Sequence, residues 1–247
     1  MPIYPIGHQL TILETVDSSN NYAMQMVQQK GAIHGQVFFA LDQTAGKGQR
    51  GKVWHSEPTS NIIMSVVLET TGLAASDQFY LSMAMALGCR NWFAQKAGDE
   101  TSVKWPNDIY WRDRKAGGML IENKWFGQEW QFSVVGIGIN LNQTQFPQTS
   151  RKPVSLRQIT GRNLDLLQEA RLLCEELENR WQQLRRGEKQ SIHTEYQSRL
   201  FGMNKICRFR RNTIEFETRV VGVSEQGELL TQDQTARRFK VGEIEWV

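Results

Sequence analysis

From Gln9 to Thr15 apolar and polar side chains alternate with the period of a half-buried strand. Asp17-Ser18-Ser19-Asn20 then offers N-cap groups to a helix ending at Gly31. Two β-branched and aromatic runs follow, QVFFAL (36–41) and NIIMSVVLE (61–69), each the length of a buried strand. The glycine- and lysine-rich segment between them, broken by a proline, is too irregular for a helix. From Ser76 to Ala97, Phe79, Met83 and Leu87 fall at helical spacing. That predicts a long amphipathic helix on a sheet face, with Ser76 as N-cap and Gly98 as stop. TSVKW, DIYW, GGMLIEN and WQFSVVGIGIN, between Thr101 and Asn142, read as antiparallel strands with a hairpin near Gly127. After a polar, loop-like stretch from Gln143 to Arg162, Leu166, Leu167, Ala170, Leu173, Leu177, Trp181 and Leu184 mark a second long helix closed by Gly187. A shorter helical piece covers 192–200. The texture then changes to KICRFR, TIEFETRVVGV, GELLTQ and RRFKVGEIEWV, short strands separated by tight turns. A tail of about 45 residues rarely holds a core alone and is expected to dock on the main domain. The pattern predicts an α+β chain, with residues 1–200 as one domain and 201–247 as a second, smaller one.

The chain's 247 residues, 40% hydrophobic and 22% charged, suffice for such a pair. No apolar run approaches the ~18 positions of a membrane span. MPIYPIGHQL has neither the basic head nor the apolar core of a secretory signal, so a cytoplasmic protein is expected. A net charge of +3 does not by itself suggest nucleic acid. Cys89, Cys174 and Cys207 are odd in number and far apart, which excludes a disulfide framework and a CxxC zinc site. His8, His34, His55 and His193 form no HxxxH pair, so any metal is expected to arrive with a substrate.

Two segments carry candidate chemistry. Gly46, Gly48 and Gly51 match GxGxxG, but KVWHSEPTSN before the next strand is too short and too Pro-interrupted for the crossover helix of a dinucleotide fold. Two readings of that loop stay open: a solvated basic turn, or a mobile loop whose amides and cations Lys47, Arg50 and Lys52 close over an anion. In Lys104-Trp105-Pro106-Asn107-Asp108-Ile109-Tyr110 a cation, an amide and a carboxylate surround a proline-fixed turn, followed by Lys115-Ala116-Gly117-Gly118. Singly each residue suits an ordinary turn. Together they suit reading a purine edge, holding a magnesium on phosphates, and offsetting charge on an attacked phosphorus.

DSSNNYA (17–23), QTAGKGQRGKVW (43–54), KWPNDIYW (104–111), KAGGMLIE (115–122) and VVGIGINLN (134–142), in this order, closely resemble the biotin protein ligases. The tail resembles their SH3-like C-terminal domain, with GEIEWV where members carry a GEIS-like segment. The resemblance implies a mixed β-sheet flanked by helices, like class II aminoacyl-tRNA synthetases, with a small SH3-like β-barrel. It implies an enzyme that makes biotinyl-5'-AMP from biotin and MgATP and passes the biotinyl group to a lysine of a biotin carboxyl carrier domain, as in acetyl-CoA carboxylase. By resemblance, Lys115, Arg50 and Asp108 serve catalysis. Ser18, Ser19, Asn20 and Gln43 bind the biotin ureido ring, joined around biotin by Lys47, Gly48, Gln49, Lys115 and Gly117. Arg50, Lys52, Trp54, Asn107, Asp108 and Asn140 face ATP, and Asp108 its Mg2+. Arg151 to Leu156 resembles a second ligand-covering loop.

Some members have arginine where Lys47 and Gln49 stand, so tight retention of the adenylate is not implied here. The chain ends Glu245-Trp246-Val247, so the C-terminal arginine of some relatives is not carried over. Only 17 residues precede Ser18, and the DNA-binding module of bifunctional relatives is not expected. An exposed sheet edge offers a route to pairing with itself, as a homodimer, or with the carrier domain. A lipoate-type ligase and a non-catalytic biotin-binding protein are the competing readings.

Overall fold

In a computed structural model describing residues 4–147 and 152–247, β1 (Leu10–Val16) and β2 (Val37–Gln43) lie side by side and parallel, joined through helix α1 (Ser19–Gln28). Every other pairing is antiparallel: β2 with β3 (Ile62–Glu69), β3 with β7 (Glu129–Ile139), and β7 in a long hairpin with β6 (Arg114–Phe126). β5 (Asp108–Trp111) and β4 (Thr101–Lys104) complete a seven-stranded mixed sheet of order β1-β2-β3-β7-β6-β5-β4.

Alternation assigns the two faces. Val37, Phe39, Ile62, Met64, Val66, Val135, Ile137 and Ile139 point to one side, where α2 (Gln78–Ala97) and α4 (Leu166–Arg185) complete the main core. Phe38, Val67 and Val134 point to the other and meet Ala23 and Val27 of α1. α2 is not the amphipathic surface helix expected: residues from Tyr80 to Phe93 are buried nearly all round, because α4 and α5 (Lys189–Ser198) cover its outer side. Gly88 permits that approach, since a Cβ there would come within 3.0 Å of Leu177. Its start also differs from expectation. A 3-10 turn at Ala75–Asp77 precedes α2, and Asp77, not Ser76, sits at the boundary, where it accepts from Lys189 Nζ at 2.7 Å. The stretch 143–162 holds a short helix, α3 (Leu156–Thr160). A capping box of Ser155 and Gln158 opens it and a left-handed Gly161 ends it.

The tail forms β8 (Ile206–Arg211), β9 (Ile214–Val223), β10 (Leu229–Gln232), β11 (Ala236–Phe239) and β12 (Glu245–Trp246) in an antiparallel sheet of order β11-β10-β9-β8-β12. β11 and β12 are its two edges, and the sheet is not closed. RRFKVGEIEWV is therefore not one strand. Glu243 N–H donates to Lys240 O at 3.1 Å, and Gly242 at φ 91 completes the turn that sends β12 back onto β8. Phe209, Val220, Val223, Leu229, Phe239 and Ile244 belong to the same continuous core as the main sheet. Trp105 Nε1 donates to Gly227 O across the join at 2.9 Å, and a Cβ at Gly227 would strike the Phe79 ring. Among the described residues no helix is long and apolar enough to cross a membrane.

Candidate active site

The α1 side of the main sheet is hollowed by its own register. Ile63, Gly138 and Gly118 lie in one cross-strand row, and Ser65, Gly136 and Leu120 in the next. A Cβ at Gly136 would collide with Asn20, and one at Gly138 would come within 2.5 Å of the Trp54 indole. Alternate glycines thus clear space on the sheet for two side chains, Asn20 from the start of α1 and Trp54 from the end of the glycine-rich segment. Gly117, one residue out of phase, faces the opposite side, against Ile139.

Above these glycines lies a cavity of about 720 Å3, a size suited to a ligand of several rings. Ser18, Ser19, Asn20, Gln43, Lys47, Gly48, Gln49, Arg50, Lys52, Trp54, Asn107, Asp108 and Lys115 all line it. Gly117 and Asn140 do not, and Arg151 lies outside the described residues. Eight lysines and arginines against three carboxylates line this cavity, which favours an anionic ligand.

One wall is a buried polar network. Ser65 Oγ donates to Asn20 Oδ1 at 2.6 Å, so the 2.9 Å contact between the Ser19 and Ser65 hydroxyls takes its proton from Ser19. Asn20 Nδ2 donates to Glu122 Oε2 at 2.8 Å and to Leu120 O at 3.2 Å. Gln43 Oε1 accepts the Ser19 N–H at 2.7 Å and so caps α1. Ser18 holds the N-cap position, within the expected capping segment, without a side-chain cap bond. Asn21 donates to the Asp17 carboxylate, and that bond holds the Asp17 carboxyl below its ordinary range.

Lys115 lies beyond this wall. Its ammonium is 2.6 Å from Asp108 Oδ1 and 5.7 Å from the Trp54 ring centroid. The pair is largely shielded, with side chains 11% and 24% exposed, so the contact is stronger than a surface ion pair. The backbone around Lys115 is pinned: Lys115 N–H donates to Lys152 O at 3.2 Å, and Val154 N–H donates to Lys115 O at 2.9 Å. Asn140 Nδ2 donates to Lys115 O at 3.3 Å and Val154 O at 3.2 Å. The Asn140 amide thus ties the 152–154 segment to β6. Asn107, also buried, donates through Nδ2 to Met119 O. Tyr196 donates to Pro106 O at 2.9 Å, and burial, with the nearby Asp108 charge, pushes its hydroxyl pKa far up, keeping it a donor.

The glycine loop closes one side. Gly48 N–H donates to Lys52 O at 2.6 Å, Trp54 N–H donates to Gly46 O at 2.9 Å, and Lys47 pairs with Val53. Arg50 at its tip is left-handed (φ 56, ψ 43), and its Nη1 donates to Gly242 O at 2.8 Å. The other side is formed by the tail, from which Cys207, Arg208, Arg210, Trp246 and Val247 reach the same cavity. Burial raises the Cys207 thiol pKa. The indole N–H groups of Trp54 and Trp246 are buried and have no hydrogen-bond partner among the described residues.

Several of these residues escape sequence reasoning. Ser65 and Glu122 are central to the polar wall, and their only signals are a serine inside the apolar run IIMSVV and a carboxylate ending GGMLIE. The tail's share in the site has no local signature.

A buried polar wall, a shielded lysine–carboxylate pair and a cation-rich loop in one cavity form a site suited to a small organic acid together with a polyanion. The chain belongs to the biotin/lipoate A/B protein ligase family, whose model matches residues 12–140. It is 28% identical over 235 residues to the bifunctional ligase/repressor BirA of Bacillus spizizenii, covering 93% of this chain and 71% of that one. It is 31% identical over 159 residues to the biotin–[acetyl-CoA-carboxylase] ligase of Paracoccus denitrificans, covering 62% of this chain and 65% of the relative. The fold is shared with the biotin protein ligase of Aquifex aeolicus solved with biotin and ATP, at a TM-score of 0.80 and 21% identity over 96% of this chain and 98% of that one.

Proposed function

We propose that the chain is an ATP-dependent biotin–protein ligase. The biotin carboxylate attacks the α-phosphorus of MgATP, giving biotinyl-5'-AMP and pyrophosphate. The amine of an acceptor lysine then attacks the acyl carbon, forming an amide and releasing AMP and a proton. The observation that carries this reading is the placing of the Ser19–Ser65–Asn20 network and the Lys115–Asp108 pair in one cavity. Fixed donors and acceptors suit a neutral ureido head, whose polar groups must be paired when buried. Lys115, beside them, supplies a held cation where a carboxylate and an α-phosphate meet.

In this reading Lys115 and Arg50 offset phosphoryl charge. Ser18, Ser19, Asn20 and Gln43 surround biotin with Lys47, Gly48 and Gln49, and Gly117, facing the other side of β6, is not part of that set. Lys52, Trp54 and Asn107 face the nucleotide. Asn140 acts by pinning Lys115 and Val154. A lone carboxylate at Asp108 suits a magnesium that arrives on the ATP phosphates with waters completing its shell. Asp108 also serves as acceptor for the proton of the attacking amine, whose free pKa is about 10.4. An Asp108→Asn variant that transfers biotin from preformed adenylate at the unchanged rate removes that role.

The reading treats residues 1–200 as a catalytic domain of the class II synthetase type and 201–247 as an SH3-like unit closing the site. The acceptor is a biotin carboxyl carrier domain of acetyl-CoA carboxylase or a related carboxylase, met in the cytoplasm. The outer strand β1, with Ile12 exposed, is the edge for pairing with a second copy. Incubating the protein with biotin, MgATP and a purified carrier domain should add one biotinyl group to the carrier by intact mass. No addition, or addition surviving replacement of the carrier's acceptor lysine by arginine, counts against it.

A further inference from the structure

The turn bearing Asn107 and Asp108 is held from a side that plays no part in the reaction described above. Lys104 closes β4 and pairs across the turn with Asp108, so the two side chains rise from the same sheet face. The Lys104 ammonium sits among three rings, 4.5 Å from the Tyr110 centroid, 4.9 Å from Trp246 and 5.2 Å from Phe201. It also lies 3.3 Å from the Tyr110 hydroxyl. Phe201 lies 5.3 Å from Tyr110 and 5.6 Å from Trp246, so the rings form one continuous cage.

The rings have three origins. Tyr110 belongs to β5, two residues past Asp108. Phe201 sits at the joint between α5 and the tail, where its N–H donates to Val103 O at 2.8 Å. Trp246 belongs to β12, at the far edge of the tail's sheet, where it also packs on Phe209 at 4.6 Å. Cation–π attraction favours the charged amine and fixes its place, and here one charge bridges both sheets. All four residues line the cavity.

We propose that Lys104 is a positioning residue: caged by Tyr110, Phe201 and Trp246, it clasps strand β12 to the 104–108 turn and thereby sets the Asn107 amide and Asp108 carboxylate for the nucleotide. This role rests on the ligase reading. The clasp itself does not, because it is made entirely by the chain's own residues.

The test uses Lys104→Met, which keeps the stem without the charge, Lys104→Arg, whose guanidinium still stacks on rings, Trp246→Leu, and the Met/Leu double variant. Amide hydrogen exchange reads the clasp. Segments 105–110 and 243–247 should exchange faster in Lys104→Met and stay close to wild type in Lys104→Arg. Biotin-dependent pyrophosphate exchange reads positioning. Lys104→Met should raise KM for ATP about tenfold, leave KM for biotin within about twofold, and be largely rescued in Lys104→Arg. Trp246→Leu should match it, and the double variant should be no worse than the weaker single one, as for two halves of one contact. Unchanged amide exchange in Lys104→Met overturns the clasp whatever the reaction. Faster amide exchange with KM for ATP unchanged, or single effects that multiply in the double variant, overturns the positioning role. A wild-type protein lacking biotin-dependent exchange overturns the ligase reading, and the positioning role with it, while amide exchange still decides the clasp.

Discussion

The wall formed by Ser19 and Asn20, backed by Ser65, and the loop from Gly46 to Lys52 meet the same cavity but are held by opposite means. The wall is buried, stands on a sheet cleared by glycines, and has each amide and hydroxyl of Asn20 and Ser65 engaged. The loop is largely exposed, carries a left-handed arginine, and touches the tail through one arginine–carbonyl bond. A preformed wall selects a ligand that matches donors and acceptors already fixed by their own hydrogen bonds. A loosely held loop admits the ligand and closes afterwards. One cavity thus divides recognition from enclosure, with Lys115 between the two.

Replacing Lys115 by Ala should break the reaction wherever the wall and loop stand. Biotin-dependent pyrophosphate exchange should fall by about 10^3-fold or more, roughly 4 kcal/mol, with an unaltered far-ultraviolet dichroism spectrum. Next in size are changes to the rigid side. Asn20→Ala leaves Ser65 and Glu122 without their partner and should weaken biotin binding by about 10^2-fold in calorimetry, roughly 2–3 kcal/mol. Gly136→Ala should produce a similar loss without deleting any polar group, because its Cβ displaces Asn20.

The exposed side should respond less. Gly51 at φ 72 has nothing within 4 Å of its added Cβ, so Gly51→Ala should cost only the backbone preference, about 1 kcal/mol in chemical denaturation, and leave biotin affinity unchanged. A biotin defect as large at Gly51 as at Gly136 would dissolve the contrast. The smallest effect should come from Gln49→Arg. An added guanidinium on the loop should slow release of the preformed adenylate by about tenfold at most, measured by filter retention, without altering biotin affinity.

How much of this was legible in the chain depended on whether the controlling force is local. The strand at Gln9–Thr15, the helix from Leu166 and the hairpin near Gly127 follow from hydrophobic period and turn chemistry, which act over a few residues. Ser155-x-x-Gln158 with Gly161 was an equally local signal for α3, masked by the polar stretch around it. The full burial of α2 was not readable, because it depends on α4 and α5 lying outside it. The site divides the same way. The site residues expected from the five motifs line the cavity, apart from Gly117, out of phase, and Asn140, whose amide ties β6 to the next segment. Ser65, Phe201 and Trp246 join the site only through strand register and docking of the tail, and Glu122 and Lys104, though they stand within the motifs, find their partners by the same long-range route.

The central claim is that the polar wall admits biotin to a cation poised for adenylation. It is tested most directly by pyrophosphate exchange into ATP with magnesium, run in parallel with biotin and with lipoate. The account predicts exchange with biotin and none with lipoate, lost in Asn20→Ala at biotin concentrations that saturate the wild type only just. Exchange driven by lipoate alone, or by neither acid, would contradict it.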